Sequence, residues 1–249
     1  MTGRTLFLLR IAWTLAAALL ATVSAFADYT VTGRFQYEDR PFDMNGFVGT
    51  ITLRPVRLAD VRIVAGGQTL ATGATGEDGT FSVLVPSTTA QQIIAVCVTT
   101  ASKTPGLLLD VRVANNDYSF GDLYSVASAP ANTTGSGTVD VGTTLAVSGN
   151  DAGKFFNVWD VVIDALQFVA SPDANGSLPT QKLTVIWRSD HPYTSSFYQP
   201  ASRAPYLFIG SPEAYDDTVI SHEFGHFIDY TFSHSDSPGG QHYVGDNRQ

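Results

Sequence analysis

Apolar and polar side chains alternate along much of the first half of the chain. Every second position is apolar over residues 81–85 and again over 107–113. A period of two with β-branched residues predicts strands. Residues 76–79, Gly-Glu-Asp-Gly, separate two such runs and offer Asp-Gly for a tight hairpin turn. Several short strands with turns between them favour a β-sandwich, which we predict over residues 28–118.

The period changes to that of a helix after Asn150. Asp151 can cap the start of this helix, and polar residues form a second face along it. The apolar positions are Phe155, Val158, Trp159, Val162, Leu166 and Val169, and the polar positions are Asn157, Asp160, Asp164 and Gln167.

Two strands and a second helix are predicted to follow. Residues 182–187 and 206–210 are apolar runs of strand length, and a loop bearing aromatic residues connects them. Asp216 or Asp217 can then cap the second helix. An all-β region followed by helix, strand, loop, strand and helix predicts the fold class α+β.

The segment between the two halves has a different composition. Ser125–Gly149 is rich in Ser, Ala, Thr and Gly, which is typical of a flexible linker or a long loop. We therefore predict a linker or loop over residues 119–150 and a second domain over residues 151–249.

The N-terminus has the pattern of a secretory signal peptide. Arg4 and Arg10 precede an almost unbroken apolar run, and Ala25-Phe26-Ala27 is an A-x-A cleavage signature. This run is short for a membrane anchor, and no later segment is long and apolar enough to span a bilayer. We predict that residues 1–27 are removed and that the protein is secreted, either periplasmic or extracellular.

Charge and cysteine content narrow the class of partner. Without residues 1–27 the chain has 12 basic and 23 acidic residues, a net charge of −11. This balance argues against nucleic acid and anionic membranes as partners. Cys97 is the only cysteine, so an intrachain disulfide is impossible, and its apolar surroundings in the sequence predict a buried thiol.

The predicted second helix carries the residues with the clearest chemistry. His222 and His226 are four residues apart, which places both imidazoles on one face of a helix where they can bind one Zn²⁺ ion. Glu223, about a hundred degrees round the helix, can reach a water on that ion and act as general base. Gly225 costs about 1 kcal/mol relative to alanine in a helix, so we expect another group to approach the backbone there.

A third zinc ligand is not defined by the motif itself. Asp229 and Phe232 stand where the metzincin pattern needs glycine and histidine, which excludes that pattern. His191 is predicted to be a turn residue, because it lies outside the helix. The remaining alternatives are a glutamate after residue 249 or, within the chain, His234, His242, Asp236 and Asp246.

Residues from about Phe155 to the end resemble zincin metallopeptidases, and best the gluzincin branch. The H-E-x-x-H motif and the order of elements around it carry this resemblance, together with the tail Ser235–His242. The resemblance implies that His222 and His226 are zinc ligands, that Glu223 is the catalytic base, and that a glutamate from a later helix is the third ligand. No glutamate follows Glu223 in the sequence, so we expect a zincin domain that is incomplete at its C-terminus.

The N-terminal half resembles carboxypeptidase-regulatory-like, or transthyretin-like, modules. Val31-Thr32-Gly33-Arg34 at its start and Gly76-Glu77-Asp78-Gly79-Thr80-Phe81 in its middle carry this second resemblance. It implies a β-sandwich accessory module in front of the zincin-like part.

These observations lead to a secreted zinc-dependent peptidase that acts on protein or peptide substrates. Residues 206–210 are expected to pair with an extended substrate. With only two protein ligands for zinc, this chain is expected to hydrolyse peptides poorly. The alternative is a secreted binding or adhesion protein whose β-sandwich carries the function and whose zinc site is structural or degenerate. The sequence does not indicate an oligomeric state.

Overall fold

A computed structural model describes residues 28–86, 92–102, 110–116, 122–133, 137–169, 183–200 and 205–232. In these ranges the protein is mainly β, with two helices. The strands are β1 Tyr29–Asp39, β2 Phe42–Asp43, β3 Gly46–Phe47, β4 Thr52–Pro55, β5 Asp60–Ala65, β6 Gln68–Ala74, β7 Thr80–Val85, β8 Ile93–Thr99, β9 Val111–Ala114, β10 Ser125–Ala127, β11 Ala131–Asn132, β12 Gly137–Ala146, β13 Leu183–Trp187, β14 Phe197–Gln199 and β15 Tyr206–Ile209. The helices are α1 Asp151–Val169 and α2 Asp217–Phe232.

Some of the predicted features lie outside the described residues. These are the signal peptide over 1–27 and four alternative zinc ligands, His234, Asp236, His242 and Asp246. Neither helix in the described part of the chain combines the length and the apolar character needed to cross a membrane.

The first sheet is built around β1. On one side β1 pairs with β12 in parallel, and on the other it pairs antiparallel with β7 and with β4. Gly33 of β1 lies at a crowded point, because a Cβ there would meet Val141 and Phe81 side chains within 3.0 Å. The predicted linker over 119–150 is wrong along β12. Residues 137–146, which include two glycines and three threonines, form a ten-residue strand whose register is fixed by pairing with β1.

The second sheet has the order β10, β8, β5 and β6, and β11 also pairs with β8. β10 and β11 lie in the predicted linker as well, and both add to the edge of β8. Residues 76–79 form the predicted turn, with Gly79 N–H donating to Gly76 O at 3.0 Å. This turn is not a hairpin turn, because β6 belongs to the second sheet and β7 to the first.

The third sheet carries α2 on one face. β9, β13 and β15 are parallel, and β14 pairs antiparallel with the outer edge of β15. β9 falls within the predicted β-sandwich range but pairs with β13. The predicted boundary at residue 118 therefore divides two strands that pair within one sheet.

Helix α1 joins the first and third sheets. It packs against β1, β9 and α2 and buries Phe156, Trp159 and Val162 completely. Its predicted polar face is also buried in part, because Asp160 accepts hydrogen bonds from Tyr37 Oη at 2.8 Å and Arg57 Nε at 2.6 Å. The helix is thus fixed to the first sheet by buried polar contacts as well as by apolar packing.

The helix caps are close to those predicted. Asn150 Oδ1 accepts from Ala152 N at 2.8 Å, so Asn150 rather than Asp151 caps α1. Asp216 Oδ1 accepts from Val219 N at 3.1 Å and caps α2, as one of the two predicted alternatives.

Candidate metal centre

Helix α2 is held by an apolar stripe that turns its histidines away from the core. Ile220, Phe224 and Phe227 are buried at helical spacing against the third sheet and α1. Phe227 also contacts the ring of Tyr198 in β14, with 6.2 Å between ring centroids. Because the buried stripe faces the core, the histidines lie on another side of the helix, where His222 is exposed and His226 is half-buried.

The two imidazoles converge. Nε2 of His226 lies 3.0 Å from Nε2 of His222, and the rings are nearly perpendicular at 87°. Two nitrogen ligands of tetrahedral zinc, each about 2.05 Å from the ion, are about 3.3 Å apart. The spacing of the pair therefore fits one zinc ion with little movement. In the metal-free protein, one neutral ring can donate its Nε2–H to the other.

The convergent pair is not completed by a third ligand in the described part of the chain. No group of three or more His, Cys, Asp or Glu side chains there could hold a metal ion. His191 does not approach the pair. It lies in a turn, where its Nδ1 accepts from Tyr193 N at 3.2 Å, and its ring packs on Phe208. This agrees with its prediction as a turn residue.

Glu223 lies on the buried side of the same turn of α2. Its side chain is only 7% exposed, and its carboxylate accepts a hydrogen bond from the backbone N–H of Tyr198. Burial raises the pKa of Glu223 to about 7, and the charge of Glu213 adds to this, while the Tyr198 hydrogen bond opposes it. A carboxyl group with this pKa is half-ionised near neutral pH, as a general base requires.

The strand that borders the site is β14 and not β15. β15 is flanked by β14 and β13, so its backbone groups are already paired on both sides. The expected pairing of residues 206–210 with a substrate is therefore wrong for this strand. β14 pairs only with β15 among the described strands, and the Tyr198 N–H that Glu223 accepts points away from β15.

A groove runs beside the histidines, between α1 and α2. It encloses about 850 Å³, and its apolar lining includes Phe168, Phe224 and Ile228. Gly225 also lines it, and no described atom lies within 4 Å of a Cβ built at this residue. The expected close approach to the backbone at Gly225 is therefore absent from the described residues.

Sequence reasoning missed the contacts that surround Glu223. Tyr198 acts through its backbone N–H, which any residue but proline would supply, and Glu213 acts through its charge. Asn157 donates to Asp217 Oδ1 at 2.9 Å, where α2 begins. None of these residues belongs to a motif, and only the fold brings them to α2.

Comparisons with known proteins do not assign the chain to a family. No protein-family model matches the chain, and a search of curated proteins found no match. Among solved structures, a 9R-lipoxygenase from Cyanothece PCC8801 is similar over 68% of this chain, with 12% identity and a TM-score of 0.29. The matched part is 29% of the lipoxygenase chain. At this TM-score the likeness does not establish a shared fold.

Proposed function

We propose that the protein is a secreted zinc-dependent peptidase with protein or peptide substrates. The observation that carries the proposal is the arrangement on one turn of α2. Two imidazole nitrogens converge to 3.0 Å, and the intervening Glu223 is buried beside an edge strand. This combination has the ligand spacing and the base that metal-assisted hydrolysis needs.

The fold details belong to the same proposal. The first and second sheets contribute to one apolar core, which supports a β-sandwich of the carboxypeptidase-regulatory-like kind. A mostly parallel sheet with an antiparallel edge strand, carrying α2 on one face, supports a zincin-like arrangement for the rest. Secretion is supported by the signal-peptide pattern of residues 1–27.

Each residue of the site has a task in the proposed reaction. His222 and His226 would hold the ion, which when bound would supply a Lewis acid for the scissile carbonyl and a water of lowered pKa. Glu223 would accept a proton at its carboxylate and pass it to the leaving amine. The Tyr198 N–H donates to the carboxylate of Glu223 and restricts its orientation.

Metal analysis tests the zinc site. We expect the purified protein to bind about one zinc per chain and the His222→Ala/His226→Ala variant to lose it. His191→Ala is the matched control, because His191 lies in a turn away from the pair. Full zinc retention in the double variant would refute the assignment of the ligands.

A peptidase assay of the zinc-loaded protein tests the reaction. Glu223→Gln keeps the shape of the side chain but cannot accept a proton, so it should retain zinc and lose turnover. Because two protein ligands are expected to support only slow turnover, the decisive quantity is the difference in rate between the two proteins. A wild-type rate no higher than that of Glu223→Gln would reject the peptidase and favour the alternative, a binding or adhesion protein with a structural zinc site.

A further inference from the structure

Asn157 is a buried amide in α1 that contacts the start of α2. It is 1% exposed, and its Nδ2 donates to Ala214 O at 3.0 Å and to Asp217 Oδ1 at 2.9 Å. Ala214 precedes α2, and Asp217 is its first residue. The amide of Asn157 therefore donates one hydrogen to the residues before α2 and the other to the first residue of α2.

The chemistry of these contacts requires an amide at residue 157. Both partners are acceptors, so only a side chain with two donor hydrogens satisfies them together. An aspartate of the same shape would place a carboxylate against Ala214 O and against the carboxylate of Asp217. A leucine would leave the carbonyl of Ala214 without its donor.

Helix α1 provides a fixed platform for this contact. Asp160 lies one turn beyond Asn157 and accepts from Tyr37 and Arg57, and Trp159 Nε1 donates to Arg57 O at 2.8 Å. These bonds tie α1 to β1 and to the residues after β4. A shift of α2 against α1 at Asn157 is therefore also a shift against the first sheet.

The contact of Asn157 with the start of α2 affects the position of Glu223 farther along the helix. Glu223 lies six residues after Asp217, about 9 Å along the helix axis. Its carboxylate must remain within hydrogen-bond range of Tyr198 N–H, so a small rotation of the helix at its start would separate them. We infer that Asn157 is a positioning residue that sets the place of Glu223 against β14, an inference that rests on the proposed function for its catalytic meaning.

Hydrogen exchange of the Tyr198 amide in the full chain tests the inference without any need for activity. Asn157→Asp should lower the protection of this amide by about tenfold or more, and Asp217→Ala should lower it by a smaller factor. Asn150→Ala is the matched control, because it removes a polar contact from the N-cap of α1 without touching α2. It should leave the Tyr198 amide within about twofold of the wild type.

Three results would overturn the inference. The first is unchanged Tyr198 protection in both variants, and the second is an equal loss in Asn150→Ala, which would mean general destabilisation. The third applies if Asn157→Asp does not fold, and it is unchanged protection of the Tyr198 amide in Asp217→Ala. This variant should still fold, because Asp217 is exposed.

A kinetic measurement separates the positioning role of Asn157 from the proposed peptidase function. In the zinc-loaded protein, Asn157→Asp should reduce kcat by about 10–100-fold while zinc stoichiometry is kept, because both histidines move together with α2. Loss of Tyr198 protection in a protein whose wild type has no turnover would refute the proposed function and leave the positioning role intact. An unchanged kcat in a protein with active wild type would refute the positioning role.

Discussion

At the residue scale, two glutamates have pKa values that are shifted in opposite directions by their surroundings. Glu223 is buried beside β14, and burial raises its pKa to about 7. Glu38 is the opposite case, since the Ser148 N–H and hydroxyl donate to it and hold its pKa below the usual range. The sequence predicts the role of Glu223 from its motif, but its ionisation depends on a strand about 25 residues earlier in the chain.

The raised pKa of Glu223 has a consequence for stability. Between the unfolded value of about 4.3 and the folded value, the folded state binds more protons, so stability falls as pH rises through this window. We expect metal-free wild type to lose at most about 3 kcal/mol more than Glu223→Gln between pH 5 and pH 8. Urea unfolding of both proteins at the two pH values measures the difference. Parallel pH profiles would contradict the burial of the ionisable group.

The Tyr198 backbone can be tested separately from its ring. Tyr198→Pro removes the N–H that Glu223 accepts, whereas Tyr198→Ala removes the ring and keeps the N–H. Proline is tolerated in an edge strand at a position whose backbone N–H is not needed for pairing within the sheet. Since the hydrogen bond lowers the pKa of Glu223, we expect the proline variant to titrate above about 7 and above the alanine variant. Carbon-13 NMR of the Glu223 carboxyl in metal-free protein follows the titration.

At the element scale, periodicity predicted the two helices and several strands well. Phe81, Val83 and Val85 are buried in β7 while Ser82 and Leu84 are exposed, as alternation requires. The polar face of α1 could not be predicted as buried, because its partners Tyr37 and Arg57 are about a hundred residues away in the sequence. Hydrophobic period identifies the side of a helix that is apolar, but it does not say whether the other side meets water.

Two helical glycines should respond in opposite ways to alanine. A Cβ at Gly153 in α1 would lie 2.6 Å from Tyr215 Oη and 3.0 Å from Glu38 O. Gly225 in α2 has open space around it in the described residues. We expect Gly225→Ala to stabilise the metal-free protein by up to about 1 kcal/mol and Gly153→Ala to destabilise it by about 1–3 kcal/mol. Thermal unfolding of both variants checks the signs, and a destabilised Gly225→Ala protein would reveal a close neighbour of α2.

At the scale of the whole molecule, the division into parts was the least predictable feature. Small polar residues over 125–149 have the composition of a linker, yet β12 within this range pairs with β1 over most of its length. The preference of side chains for strands depends strongly on context, so composition alone did not identify this pairing. The same holds for β9, which lies in the N-terminal half of the sequence but pairs with β13 in the C-terminal half.

The domain boundary can be tested by dissection. A separately expressed fragment of the predicted β-sandwich, residues 28–118, would lack β12 beside β1 and β13 beside β9. We expect this fragment to show no cooperative unfolding, whereas residues 28–232 should unfold in one transition. Circular dichroism during thermal unfolding distinguishes them. A sharp transition in the shorter fragment would restore the predicted boundary.

The parallel pairing of β1 with β12 also affects the order of folding. Residues 29–34 pair with residues 80–85 on one edge of β1, whereas the partner on the other edge, residues 137–146, comes about a hundred positions later. Contacts this distant in sequence slow folding, and an unpaired edge can recruit strands of other chains in the meantime. A polypeptide emerging N-terminus first therefore leaves one edge of β1 exposed until about a hundred further residues have been made, so aggregation competes with completion of the first sheet.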